Sequence, residues 1–124
     1  MTLDYTISYE HPLINVRTEG LFDFLKAYEM WEAIVASCEE NNCTRVLGIS
    51  NLQEPIPSMD AYDHLSIFQS VGVTDKHRIA WVAGKPNLLE KLRLAETVLR
   101  NRGSIDIQIF ESVTDAKRWL ESTD

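Results

Sequence analysis

The sequence predicts one α/β domain, a mixed five-stranded sheet covered by helices in the order β-β-α-β-α-β-α-β-α. Three observations predict it. The chain opens on two alternating segments joined by a short turn, which specifies an antiparallel hairpin. Beyond Gly20, segments with three-four apolar spacing alternate with short apolar runs, the pattern of strands joined by helical crossovers. Finally, 124 residues with 44% hydrophobic and 25% charged side chains can bury one core without metal or disulfide. No linker, repeat or low-complexity stretch divides residues 1–124. The later strands are expected to run parallel through right-handed crossovers.

Thr2 to Tyr9 alternates, with Leu3, Tyr5 and Ile7 on one face. His11 to Leu13 reads as the turn. In the second strand Ile14, Val16 and Thr18 face one way, Leu13 and Asn15 the other, and Gly20 ends it. The first helix then runs from Leu21 to Asn42. Its expected stripe is Leu21, Phe24, Tyr28, Trp31, Val35 and Cys38, widened by Phe22, Leu25, Met30 and Ile34. Thr44 to Ser50 is a continuous apolar run, hence a buried central strand. A loop follows, and the second helix is expected from Ser58, with Ala61, Leu65 and Phe68 inward beside Tyr62, and Gly72 as its stop. His77 to Gly84 is the fourth strand. The third helix is expected with Asn87 as N-cap, Leu88, Leu92, Ala95 and Leu99 on one face, and Gly103 as its end. Ser104 to Glu111 alternates strictly, with Ile105, Ile107 and Ile109 on one face, so it reads as an edge or half-exposed strand. The last helix has Val113, Ala116 and Leu120 inward, Trp119 beside them, and Ser112 or Thr114 as cap.

Net charge is −7, which argues against a nucleic-acid surface. The charge is uneven. Seven basic residues against two acidic ones lie between Lys76 and Arg102, and the remainder of the chain is strongly acidic. A solvated helix face with arginines near its C-terminus accounts for the basic segment, though the polarity can also orient a partner. Cys38 and Cys43 are the only cysteines. No second Cys/His pair accompanies them, so zinc is not expected. Free thiols without a signal peptide point to a reducing cytoplasm, and no segment reaches membrane-spanning length.

Catalytic chemistry needs a nucleophile, a base and an orienting group. The available bases are His11 in the hairpin turn, His64 on the second helix and His77 before a strand. All three read as exposed polar residues. Asp60 and Asp63 share a helix face, but acids in a first turn are what the helix dipole favours. Gly84-Lys85 stands between a strand and a helix without a Walker pattern or a dinucleotide fingerprint. No catalytic residue, cofactor or metal is therefore expected. In open sheets of this kind, ligands and partners meet the loops beyond the carboxyl ends of the strands. Here those loops are Ser50 to Ser58, Gly84 to Asn87 and Glu111 to Thr114.

The strand "RVLGIS", the loop leading to Ser58, the strand "RIAWVAG" and the closing "IQIFESVTDAKRWLE" carry a resemblance. With the element order, they resemble the STAS-type, SpoIIAA-like fold of bacterial anti-sigma-factor antagonists, and more closely the small STAS/SEC14-like proteins. The resemblance implies a non-enzymatic regulatory or protein-interaction module. In the antagonists, a serine opening the second helix, in an Asp-Ser-Ser/Ala-Gly motif, is phosphorylated by a partner kinase. Ser58 stands in that place, with Pro57 before it and Met59 after it. Two readings of Ser58 remain: a phosphate acceptor, which the helix dipole would favour, or a helix cap, which needs only the hydroxyl. The expected partner surface is Ser50, Asn51, Pro57, Ser58, Met59, Tyr62 and Lys85. The SEC14-like side implies instead an apolar ligand or lipid held in a small groove. The breadth of apolar residues on the first helix also suggests a homodimer face, beside the simpler packing of that helix on sheet and neighbour.

Overall fold

A computed structural model describes residues 3–20, 23–52, 61–84 and 86–122. The elements are β1 (Asp4–Glu10), β2 (Leu13–Gly20), α1 (Phe24–Glu40), β3 (Arg45–Leu52), α2 (Ala61–Val71), β4 (Arg78–Ala83), α3 (Pro86–Gly103), β5 (Asp106–Phe110) and α4 (Val113–Glu121). This is the order and the α/β class expected from the alternation of patterns. The strands lie side by side in sequence order in one five-stranded sheet. β1 and β2 are antiparallel, and β2 through β5 are parallel.

Three successive right-handed crossovers between adjacent parallel strands place their helices on one face. α1, α2 and α3 accordingly share a core with Ile14, Val16, Val46, Ile79, Trp81, Ile107 and Ile109. α4 covers the opposite face, where Ala116 and Leu120 pack with Leu13, Leu47, Ala80 and Val82. α4 is pinned by Arg78, whose guanidinium lies 3.9 Å from the centre of the Trp119 ring and donates through Nη2 to the Trp119 carbonyl at 2.8 Å.

Several boundaries differ from the sequence expectation. α1 begins at Phe24 because Asp23 caps it, accepting from the N–H groups of Leu25 and Lys26. Its buried residues are Ala27, Met30, Trp31, Ile34, Val35 and Cys38. Met30 and Ile34, expected at the margin, are core, while Phe24 and Leu25 in the first turn are exposed. α1 ends in a Schellman motif: Asn42 takes φ 49°, its N–H reaches the Glu39 carbonyl, and the Cys43 N–H reaches the Cys38 carbonyl. α2 ends with Gly72 at φ 91° and Val73 N–H on the Phe68 carbonyl, so Gly72 is the stop expected of it. α3 starts at Pro86, whose fixed φ suits a first turn, so Asn87 lies within the helix and is not its cap. Gly103 is also helical, and the chain leaves through Ser104 at φ 54°. Gly103 is there for closeness, since a Cβ would stand 2.6 Å from Leu65 Cδ1. At α4 Ser112 is the cap, accepting from the Asp115 N–H, and Val113 is exposed rather than inward.

The two edges of the sheet differ. Along β5, α3 takes three of the outward backbone groups. The Ile105 N–H donates to the Leu99 carbonyl at 3.2 Å, the Ile107 carbonyl accepts from Arg100 Nη1 at 2.9 Å, and the Ile109 N–H donates to the Glu96 carboxylate. Among the described residues, β1 has no such cover.

Candidate functional site

In the parallel part of the sheet, residues paired across strands share a face. The helix-covered face thus carries rows across β2, β3, β4 and β5: Ile14, Val46, Ile79 and Ile107, then Val16, Gly48, Trp81 and Ile109. At the carboxyl end the row turns polar, with Thr18 beside Ser50 and Ala83 completing it. Gly48 makes the second row possible. A Cβ there would stand 2.1 Å from Trp81 Cε3, so the indole lies over the bare backbone of the neighbouring strand. Trp81 then meets Trp31 of α1 at 5.2 Å between ring centres, and Trp31 meets Phe68 of α2 edge-on at 4.5 Å.

Above these rings the three helices do not close fully on the sheet. A cavity of about 60 Å³ remains. Its walls come from Ala27, Met30 and Trp31 of α1, His64 and Phe68 of α2, and Leu92, Ala95, Glu96 and Leu99 of α3. Trp81, Ile107 and Ile109 line the sheet side, with Thr18 and Ser50 at the polar end. Thr18 and Ser50 are 4% and 2% exposed, two of the three buried polar residues among those described. Glu96 is fixed by the Ile109 N–H. His64 lies against Phe68 with ring centres 6.2 Å apart. The chamber is thus mostly apolar, with a hydroxyl pair and an imidazole at its margin, the usual make-up of a small-molecule pocket. At ~15 Å³ per water in this measure, its volume admits a small group or chain end and not a whole lipid.

The candidate residues from the sequence separate. β3 runs on to Leu52, so Ser50 and Asn51 belong to the strand and not to the loop. Ser50 is buried and lines the cavity, whereas Asn51 is exposed beside Gly84. Tyr62 lies in the first turn of α2. Pro57, Ser58, Met59 and Lys85 lie outside the described residues. Thr18 and Glu96 were not singled out, and His64 was weighed only as a catalytic base and read as exposed. The available signal was the polar residue ending each inward-facing row, Thr18 after Ile14 and Val16, and Ser50 after Val46 and Gly48.

The histidines are not all exposed. His77 is 6% exposed and closes a turn, with its N–H donating to the Thr74 carbonyl and its Nδ1 accepting from the Thr74 N–H at 3.1 Å. Burial pushes its pKa down. His64 is half-buried at the cavity. His11 is exposed, with Nδ1 2.9 Å from the Tyr9 hydroxyl. Both thiols are buried. Cys43 donates to the Pro12 carbonyl at 3.2 Å, and burial, then the nearby Cys43, pushes the Cys38 thiol up to about 11. At neutral pH Cys38 is a protonated core residue rather than a nucleophile. Among the described residues, no group of three or more His, Cys, Asp or Glu side chains could hold a metal ion, and no helix is long and apolar enough to cross a membrane.

The architecture has a counterpart among solved structures. An uncharacterised protein of the DUF3478 family with a SpoIIAA-like fold, from Shewanella loihica PV-4, superposes with a TM-score of 0.55 at 17% identity, over 95% of this chain and 93% of that one. The chain has a SpoIIAA-like fold. No family model and no curated protein matches the sequence. In the SpoIIAA-like frame the cavity lies between the sheet and the crossover helices, with its polar row at the carboxyl ends of β2 and β3.

Proposed function

We propose that the protein is a non-enzymatic binding module of STAS-like fold that takes a small, largely apolar ligand between its sheet and helices α1 to α3. The observation that carries this reading is the pairing of buried Thr18 and Ser50 at the end of a mostly apolar cavity, which His64 and Glu96 also line. Each hydroxyl can both donate and accept, so the row offers a polar anchor to a ligand that carries one polar atom on an apolar body. Native mass spectrometry of freshly purified protein tests the reading. An added mass that disappears on denaturation is the expected result. Protein carrying no added mass, and unmoved by excess small apolar compounds, contradicts it.

A second reading is a regulatory module whose protein partner meets the region from Ser50 to Tyr62, of which Ser50 itself is buried. Its support is the SpoIIAA-like fold together with the general rule that partners of such sheets meet the connections that leave the carboxyl ends of the strands. Incubation with an anti-sigma-type kinase, followed by mass analysis, tests the switch form of this reading. Phosphate on Ser58 supports it, and an unmodified chain removes Ser58 as an acceptor.

A further inference from the structure

We propose that β1 is a docking edge for an extended, basic segment of a partner protein, which adds to the sheet as a sixth strand. The first support is the contrast between the edges. α3 takes the Ile105 and Ile109 N–H groups and the Ile107 C=O at the β5 edge, which interrupts the row that another strand would need. At β1 the opposite holds. The pairing of Glu10 with Leu13 around a two-residue turn commits residues 4, 6, 8 and 10 to β2. The backbone groups of Tyr5, Ile7 and Tyr9 therefore point away from the sheet, and no described element bonds to them. From Tyr5 to Tyr9 this edge carries no charge, proline or glycine, none of the usual features that blunt an edge.

Charge selects the occupant. Between Asp4 and Glu40, the stretch that builds this side of the domain, eight carboxylates stand against two cations, Arg17 and Lys26. Asp4 and Glu10 close the two ends of the edge, both exposed. At the amino end a pocket of about 310 Å³ is lined by Asp4, Glu19 and Asn51 and also by Arg17, so two carboxylates stand there against one cation. A second copy of the chain fits poorly. Two-fold pairing over the whole strand would set Asp4 opposite Glu10 of the other copy, and the other copy's β5 edge is already bonded to α3 at three groups. A basic strand meets both requirements: main-chain bonds supply affinity, and charge supplies selection. This edge is separate from the cavity, so the two proposals stand or fall independently.

The test uses the whole protein and three fluorescent ten-residue peptides: one alternating lysine with valine, one alternating glutamate with valine, and the lysine peptide with alternate amides N-methylated. The lysine peptide is expected to bind and to slow amide exchange at Tyr5, Ile7 and Tyr9. The other two are expected not to bind. The exposed double variant Asp4→Lys/Glu10→Lys, checked for an unchanged circular dichroism spectrum, should lose about tenfold or more in affinity. Equal binding of the N-methylated peptide, unaltered affinity in the double variant, slowing elsewhere on the molecule, or no binding of the lysine peptide would each overturn the proposal. A dimer whose protection maps to β1 would replace the basic segment with a second copy and overturn it equally.

Discussion

Gly48 and Trp81 are paired across β3 and β4, and the Trp81 indole occupies the space that a side chain at position 48 would fill. The aromatic floor of the cavity depends on that vacancy. Gly48→Ala is expected to destabilise the fold by about 1–3 kcal/mol through overpacking. Urea unfolding measures it. Because the clash is with one side chain, Trp81→Leu should cost much less in the Gly48→Ala background than in the wild type. Additive losses would show that Gly48 serves some other purpose.

Arg78 binds α4 to the sheet with two kinds of contact. It stacks on the Trp119 ring and donates to the Trp119 carbonyl, and a weaker bond at 3.4 Å reaches Asp106. Lysine has neither the plane nor the fork. Arg78→Lys should therefore lose nearly as much stability as Arg78→Ala, about 1.5–3 kcal/mol if the charged hydrogen bonds dominate. Urea unfolding followed by circular dichroism measures it. A fully conservative Arg78→Lys would contradict this role.

His77 gives the fold a pH dependence of definite sign. Burial lowers its pKa below the ordinary value of 6.5. Below 6.5 the unfolded chain therefore binds a proton that the folded chain does not. Its contribution is intact above 6.5 and is lost as the pH falls from there toward the folded value, below which the loss levels off. His77→Gln should flatten the stability profile over that window relative to the wild type, whatever the carboxylates do at lower pH. Parallel profiles for the two proteins would refute the assignment.

Glu96 ties α3 to the β5 edge through the Ile109 N–H while also lining the cavity. Glu96→Ala leaves that N–H without its charged acceptor and should cost about 1.5–3 kcal/mol. Glu96→Gln, which keeps an acceptor, should cost less. Opening the edge should also raise concentration-dependent association, visible by light scattering, in the alanine variant only.

The sequence showed the fold well because each element was announced by its period. The inward rows of β2 and β5 and the hairpin were readable residue by residue. Helix ends were less legible. Asp23 acts through its side-chain cap and Asn42 through a positive φ, neither of which periodicity reports, so the expected α1 ran too long at both ends. Gly103 looked like a stop but is a contact with Leu65, which only the tertiary approach of α2 and α3 reveals. The cavity was hidden for the same reason. His64, Glu96 and Thr18 come from three elements, and nothing in their spacing announces that they meet. Ser50 was marked as the end of the strand and the start of the loop, but β3 runs on to Leu52 and Ser50 faces inward.

The central claim is that the cavity receives an apolar ligand at the Thr18–Ser50 row. A titration of isotope-labelled protein with hexanoate and with indole, followed by nuclear magnetic resonance, tests it most directly. Saturable shifts are expected at Thr18, Ser50, Ala95 and Leu99, and Ala95→Leu, which fills the space, should abolish them while leaving the spectrum folded. Shifts confined to the surface, or equal in the filled variant, would contradict the claim.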